Sequence, residues 1–310
     1  MTLVGVGLTD VRSVQTILWP AFQSEAGVAD DLQYRQEVDM PRLLAALRDP
    51  GADSPPDIVF VANPAAFEQS GVLAVTEGLG DADIPDAWRD PAERWAPLYV
   101  QPVVFVYNTH YAVPPATWPD LLKPRWADRL VFEEPARMLT TGPALAELSP
   151  SLGDDWPRFL DLLARQDPLL VADNERSVLE VATGSRWGGL SNWNVARRVR
   201  VGSPVRHAFL DPTPCIPGFG AVLAGAAAAD LAARFLRWLV SDGGQRAYAR
   251  TGRIPAVAEV DRALTTEAIV PADIRRAAGS VDWLRDPDPW VAAFDRAFPS
   301  ATALAAGKLR

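Results

Sequence analysis

A continuous apolar run, Asp57–Ala62 (DIVFVA), follows a stretch of helical spacing, and this alternation constrains the fold more than any other feature of the chain. Upstream, Leu3–Gly7 is a first short apolar run. Val14, Ile17, Leu18 and Phe22 then recur at helical spacing behind Asp10 or Ser13 as a cap, and Met40–Arg48 repeats the pattern. A strand that is apolar throughout is covered on both faces, and strands alternating with helices form parallel βαβ units. The expectation is an α/β fold. Ligands in such sheets sit beyond the carboxyl ends of the strands, which singles out the Leu8–Ser13 loop and Asn63-Pro64.

The alternation continues. Tyr99–Asn108 (YVQPVVFVYN) reads as a long strand and Leu169–Ala172 as a short one, with Leu130–Phe132 between them; Gly188–Leu190 leads into Ser191-Asn192-Trp193-Asn194, and Ala221–Leu223 precedes the closing helix pair. Helices are expected from Thr140-Thr141-Gly142-Pro143, with Pro143 in the first turn and Thr141 as cap, and at Trp156–Ala164 and Ser177–Gly184. A chain of 310 residues is long enough for two cores. Two sheet-bearing halves with no low-complexity linker imply lobes joined by strands.

Near the end, Asp230–Pro255 (DLAARFLRWLVSDGGQRAYARTGRIP) holds two helices. Leu231, Phe235 and Leu239, with Ala232, Leu236 and Val240, make one apolar stripe. Ser241 or Asp242 caps the second helix, and Gly252 with Pro255 ends it.

Charge and cysteine content exclude several classes. A net charge of −9 disfavours a nucleic-acid surface, which needs clustered Lys and Arg. Only Lys123 and Lys308 are lysines, so the basic groups are nearly all arginines, planar donors suited to carboxylate or phosphate. The lone Cys215 allows no internal disulfide and reads as a small buried residue. No run of 18 apolar residues occurs, and Met1-Thr2 leads straight into the first strand without a signal segment.

Four segments in order resemble the ferric-iron type of solute-binding proteins of bacterial ABC importers. Trp95–Asn108 is similar to that family's strand between lobes, and Trp118-Pro-Asp-Leu-Leu with Pro124-Arg-Trp126 to its W.DLL.P.W segment. Asn174–Gly184 is similar to its N....AV..G helix, and Asp230–Pro255 to its closing signature. The resemblance implies a periplasmic-binding-protein type II fold with two lobes, each a mixed, mostly parallel sheet flanked by helices. Lobe 1 is expected at 1–102 plus 214–310 and lobe 2 at 103–213, with hinge strands near 100–104 and 212–218. It further implies an extracytoplasmic protein, periplasmic or tethered at the cell surface. Such a protein closes by hinge motion on a small ligand and delivers it to a membrane permease.

The family's iron site carries over only in part. Its adjacent tyrosines follow an asparagine, but Asn192 is followed here by Trp193-Asn194-Val195, and Leu8-Thr9-Asp10 lacks the family's histidine. Neutral amides and a valine do not balance ferric iron, so no metal ligands and no cofactor are assigned. The anion half of the site is retained: Thr140, Thr141 and Gly142 match the helix start that receives a small anion, and Asn174 and Asn192 match its two asparagines. Free N–H groups at a helix start favour an oxyanion on physical grounds as well. The expected cargo is a phosphorylated or phosphonate-bearing organic molecule.

Each candidate also has a plain structural reading. Thr140-Thr141-Gly142 is either an anion seat or a capped helix start. Trp193 either stacks on the ligand or packs in the core, and Asn194 stands beside it. Arg137 and Arg12 either hold an anion or are solvated. Asp10 is a ligand group or a helix cap, and Asn63 a ligand group or a turn residue. Glu133-Glu134 are neighbours on a strand and point to opposite faces, so they do not act together.

No catalytic arrangement emerges. Gly5-Val6-Gly7 lacks a third glycine in register, Gly184-Ser185-Arg186-Trp187-Gly188 is no nucleophile elbow, and His110 and His207 are the only histidines. The expected partners are a small anionic ligand and an ABC permease, with no nucleic acid, and the protein is expected to be a monomer. The alternatives are a ferric-iron or metal-chelate carrier, a ligand-sensing domain, or an enzyme on the same fold.

Overall fold

The computed structural model describes residues 1–6, 11–37, 40–48, 55–196, 202–257, 260, 263 and 282–299. Ten strands lie among them: β1 (Thr2–Val6), β2 (Gln33–Glu37), β3 (Ile58–Val61), β4 (Ala96–Asn108), β5 (Leu130–Glu133), β6 (Leu169–Val171), β7 (Gly188–Asn192), β8 (Val205–Ala208), β9 (Cys215–Val222) and β10 (Ile254–Pro255). The chain divides into two compact units, Met1–Val100 with Pro217–Ala272 and Gln101–Ile216 with Asp273–Arg310. The chain passes from one unit to the other within β4 and again within β9.

In the first unit β1 runs parallel to both neighbours, with Leu3 opposite Tyr34 of β2 and Ile58 of β3. β9 pairs antiparallel with β3 (Val59 opposite Ala221), and β10 pairs with the start of β4 (Ile254 opposite Val100). Helical structure from Val11 to Ala26, with a π-helical turn at Val14–Leu18, buries Trp19 and Phe22. Those rings meet Phe235 at 5.1 and 5.0 Å between centroids, so the two ends of the sequence share one aromatic core.

Phe235 belongs to the helix Ala229–Leu239, whose stripe of Ala232, Phe235, Leu236 and Leu239 is buried as its spacing predicts. Ser241 then caps the helix Asp242–Arg250, its Oγ accepting from the Gly244 N–H at 3.4 Å, and Gly252 leaves the helix at a φ of 85°. Between these ends sits Gln245, fully buried. Its Nε2 donates to the Leu98 and Leu239 carbonyls at 2.9 and 2.6 Å, and its Oε1 accepts from the Ala256 and Val257 N–H groups at 2.7 and 3.2 Å. One amide thus satisfies four backbone groups on β4, the helix pair and the segment after β10.

The second unit has the strand order β8-β4-β7-β5-β6. β4 is antiparallel to both neighbours, whereas β5 is parallel to β6 (Glu133 opposite Val171) and to β7 (Val131 opposite Gly189). Trp118 and Trp126 are both buried beneath this sheet's flank. The Trp118 Nε1 donates to the Pro212 carbonyl at 2.8 Å, and Trp126 meets Phe105 edge-on at 5.2 Å. Cys215 is buried, as a small apolar residue would be.

The last described helices depart from the expected lobe boundaries. Residues after 214 are expected in lobe 1, but Asp282–Arg285 and Asp288–Ala297 pack in the second unit. The cause is aromatic. Trp290 and Phe294 lie 5.1 and 6.0 Å from Trp156, and Trp283 is fully buried with its Nε1 donating to Glu147 Oε1 at 3.2 Å.

Replacing Gln245 with Leu strands four buried backbone groups. An unpaired buried group costs about 1–3 kcal/mol. The expected loss in denaturant-unfolding free energy is about 3–5 kcal/mol, and a loss below about 1 kcal/mol would remove Gln245 from this role.

Candidate functional site

Because β5, β6 and β7 are mutually parallel, their carboxyl ends lie at one edge of the second unit's sheet. Three loops leave that edge. The one after β5 leads through a turn at Pro135–Arg137 to the helix Thr141–Glu147, the one after β6 to the helix Asn174–Ala182, and β7 runs directly into Trp193–Ala196. The sequence candidates of this unit sit on these three segments.

The first segment is shaped by close backbone contact. Met138 takes a left-handed φ of 53° at the end of the turn. A Cβ on Gly142 would lie 2.1 Å from the Pro135 carbonyl oxygen, so only glycine lets the helix start approach this turn. Thr140 and Thr141 are thereby buried at the strand ends, and the Thr141 Oγ1 has no hydrogen-bond partner among the described residues.

Thr140 joins the other two segments. Its hydroxyl accepts from the Asn174 Nδ2 at 2.7 Å and donates to the Asn192 Oδ1 at 3.5 Å. The amino end of the Asn174–Ala182 helix is capped internally, since the Asp173 carboxylate accepts from the Arg176 N–H at 2.7 Å. Asn174 is therefore released from capping. Its Oδ1 is shielded from solvent without a partner, as is the Oδ1 of Asn194, a residue only 6% exposed.

Sequence reasoning missed the group beneath this network. Glu133, the last residue of β5, is 0% exposed. Val131, two residues earlier on the same face, packs with Val181 and Val178 of the Asn174–Ala182 helix, so Glu133 faces that helix too. Continuing the β5–β7 register by two residues puts Glu133 across from Ser191, whose buried Oγ has no partner among the described residues. The Glu133 carboxyl lies against the Thr140 hydroxyl and the Thr141 N–H, but neither contact reaches full hydrogen-bond geometry. Burial pushes this carboxyl up to about 8, against the pull of Thr140, Arg137 and the Thr141 amide, and Asp173 adds to the rise. The signal available in sequence was its place at a strand's carboxyl end. The judgement that Glu133 and Glu134 do not act as a pair left that place unread.

The remaining candidates are placed differently. Arg137 is exposed on the turn after β5 and makes no ion pair among the described residues, but its charge reaches Glu133. Trp193 is half-buried against the Val104, Val131 and Val205 core, with its ring 6.2 Å from Phe209. Asn63 belongs to the first unit and closes a turn, its Oδ1 accepting from the Ala65 N–H at 2.8 Å. Arg12 is exposed in the first helical turn of that unit. Asp10 lies outside the described residues.

The chain is similar in three dimensions to iron-bound HitA from Pseudomonas aeruginosa, with a TM-score of 0.75 and 18% identity over 96% of this chain and 98% of that one. It is similar to apo ferric ion-binding protein A from Pasteurella haemolytica, with a TM-score of 0.76 and 12% identity over 97% and 98%. A periplasmic thiamin binding protein matches with a TM-score of 0.72 and 19% identity over 97% and 96%. These likenesses establish the type II periplasmic-binding fold. Among curated protein sequences none matches this chain. The sequence model for bacterial extracellular solute-binding proteins matches residues 21–276, and the chain belongs to that family.

Proposed function

We propose that this chain is the extracytoplasmic solute-binding component of an ABC importer, acting as a monomer. Its cargo is a small organic phosphate or phosphonate, and the second unit seats that ligand's oxyanion on Thr140, Thr141, Asn174 and Asn192. The observation that carries this reading is the hydrogen-bonded chain Asn174–Thr140–Asn192, which draws together all three loops leaving the parallel strand ends. The Asn192 Nδ2 is left uncommitted among the described residues, and the exposed Arg137 guanidinium, whose charge reaches Glu133, supplies positive charge near the network. Asp173 spends one carboxylate oxygen on capping the Asn174–Ala182 helix but keeps its negative charge, which the Arg137 charge and the free donors of the seat must outweigh.

Ferric iron is the second reading, favoured by the likeness to HitA and to ferric ion-binding protein A. Trp193, Asn194 and Val195 speak against it, since none is a hard anionic ligand. The two readings separate on metal content and colour of the purified protein.

Thermal unfolding against a panel of phosphomonoesters, phosphonates, inorganic phosphate, thiamin and ferric citrate tests the proposal. A ligand at one hundred times its Kd adds about 2.7 kcal/mol of apparent stability. The expected result is stabilisation of a few degrees by a phosphomonoester or a phosphonate. Stabilisation by ferric citrate alone, with iron retained through purification, would transfer the assignment to the second reading.

Substitution then tests the residues. A hydrogen bond to a charged group contributes about 1.5–3 kcal/mol, so Asn192→Leu and Thr141→Val should each weaken phosphate or phosphonate binding by about tenfold or more in titration calorimetry. Unchanged affinity in both variants would sink the proposed seat.

A further inference from the structure

The Thr140 hydroxyl has one hydrogen to give and two lone pairs to receive. Its hydrogen goes to the Asn192 Oδ1, and one lone pair takes the Asn174 Nδ2–H. The neighbour left to fill its second lone pair is Glu133, which lies against this hydroxyl with both carboxyl oxygens buried and unpartnered. A neutral carboxylic acid fills it by donating its O–H. An ionised carboxylate cannot donate, and it would instead capture the Thr140 hydrogen and release Asn192.

We propose that Glu133 is the positioning residue of the oxyanion seat: as a neutral acid it donates to Thr140 and thereby holds the Thr140 hydroxyl on Asn192. That arrangement pins the Asn192 amide by its oxygen and leaves the Nδ2 hydrogens as the groups offered to a ligand. Loss of the Glu133 proton turns the Thr140 hydrogen away from Asn192 and puts a buried negative charge beneath the oxyanion. The inference rests on the oxyanion reading of this site and adds what that reading lacks, a residue that makes binding proton-dependent.

The surroundings agree. The charged groups that bear on Glu133 among the described residues are Arg137, on the turn that follows it, and Asp173, at the head of the Asn174–Ala182 helix. They are of opposite sign and act against each other. The start of the Thr141–Glu147 helix contributes a hydroxyl and an amide, and β7 contributes Ser191. Burial then decides the outcome and pushes the Glu133 carboxyl up to about 8, so at neutral pH the acid is mostly protonated.

Two measurements on the full chain test this. The first needs no ligand. In the unfolded chain Glu133 ionises near its ordinary 4.5, whereas in the folded protein it holds its proton to about 8. Its contribution to stability is therefore full below pH 4.5, falls as the pH rises toward 8, and is level above that. Glu133→Gln has no such loss, so across this window its folding equilibrium constant should rise relative to the wild type's by about a thousandfold. A constant ratio of the two across the window would show Glu133 to be ionised already, and would overturn the inference.

The second measurement is calorimetric titration with a phosphomonoester from pH 7 to 9.5. The ester's own second ionisation lies near pH 6, so it stays dianionic throughout the upper range. The wild type should lose affinity by about tenfold per pH unit above pH 8. Glu133→Gln, whose amide donates to Thr140 at every pH, should hold one affinity across the range, and Glu133→Leu, with no donor, should bind more weakly at every pH. A buried acid with a merely structural role would shift stability but leave the pH profile of affinity alike in wild type and Gln variant. That result, or affinity that rises with pH, would overturn the role of Glu133 while leaving the oxyanion seat standing. If the wild type binds no phosphomonoester and no phosphonate at pH 7, the seat itself falls, and the inference falls with it.

Discussion

The parallel pairing of β5 with both β6 and β7 governs the chemistry of the second unit. Parallel strands bring their carboxyl ends to one edge, so three loops far apart in sequence must start side by side. Had β7 run antiparallel to β5, Asn192 would stand at the far end of the sheet from Glu133 and Thr140. The 3.5 Å contact between Thr140 and Asn192, 52 residues apart, is a direct consequence of that topology. Gly142 supplies the local condition, because any side chain there would push the helix start off the turn at Pro135 and carry Thr140 and Thr141 away from the edge.

Buried polar groups are treated in two ways. In the first unit Gln245 uses both sides of its amide on four backbone groups, and Asp57 accepts from the Thr2 and Ala228 N–H groups at 2.7 Å each. These are closed networks, and they stabilise the scaffold. At and near the strand ends of the second unit, Glu133, Thr141, Asn174, Ser177, Ser191 and Asn194 each carry a shielded atom with no hydrogen-bond partner among the described residues. Leaving such a group unpaired costs about 1–3 kcal/mol. An oxyanion at that edge pairs only with the hydroxyl donors among them, whereas the Glu133, Asn174 and Asn194 oxygens are acceptors that need a donor.

The sequence disclosed most of the scaffold because its long elements carry strong periodicity. The helices at Met40–Arg48 and Trp156–Ala164 stand at the residues their spacing marks, and β4 matches its long apolar run. β2 went unread because QYRQE is polar, and it can be polar because it lies at the sheet's edge with Gln33 and Arg35 exposed. β8 and the C-terminal aromatic helices were missed for a different reason. Their partners, β4 and Trp156, lie roughly a hundred residues away or more, and local pattern carries no trace of such pairing. For the site, Thr140, Asn174 and Asn192 were legible only through likeness to a family, since a threonine and two asparagines have no spacing of their own. Glu133 carried a positional signal, but a carboxylate's meaning depends on burial, and burial is a property of the fold.

The same division explains why the chain's most recognisable segment is silent about cargo. Gln245 and its helix pair lie in the first unit and act on backbone groups, so their chemistry does not depend on which solute is carried. A residue that closes backbone hydrogen bonds serves the fold whichever solute is carried. A seat for a solute is instead made of side chains whose spare donors and acceptors must match one ligand. Relatives that share this fold at 12–19% identity are thus free to differ at Trp193, Asn194 and Glu133 while keeping the strand order that places those positions. In the proposed seat, topology sets where a ligand group would sit, and the protonation and polarity of a few buried side chains at that edge would decide which ligand group it is.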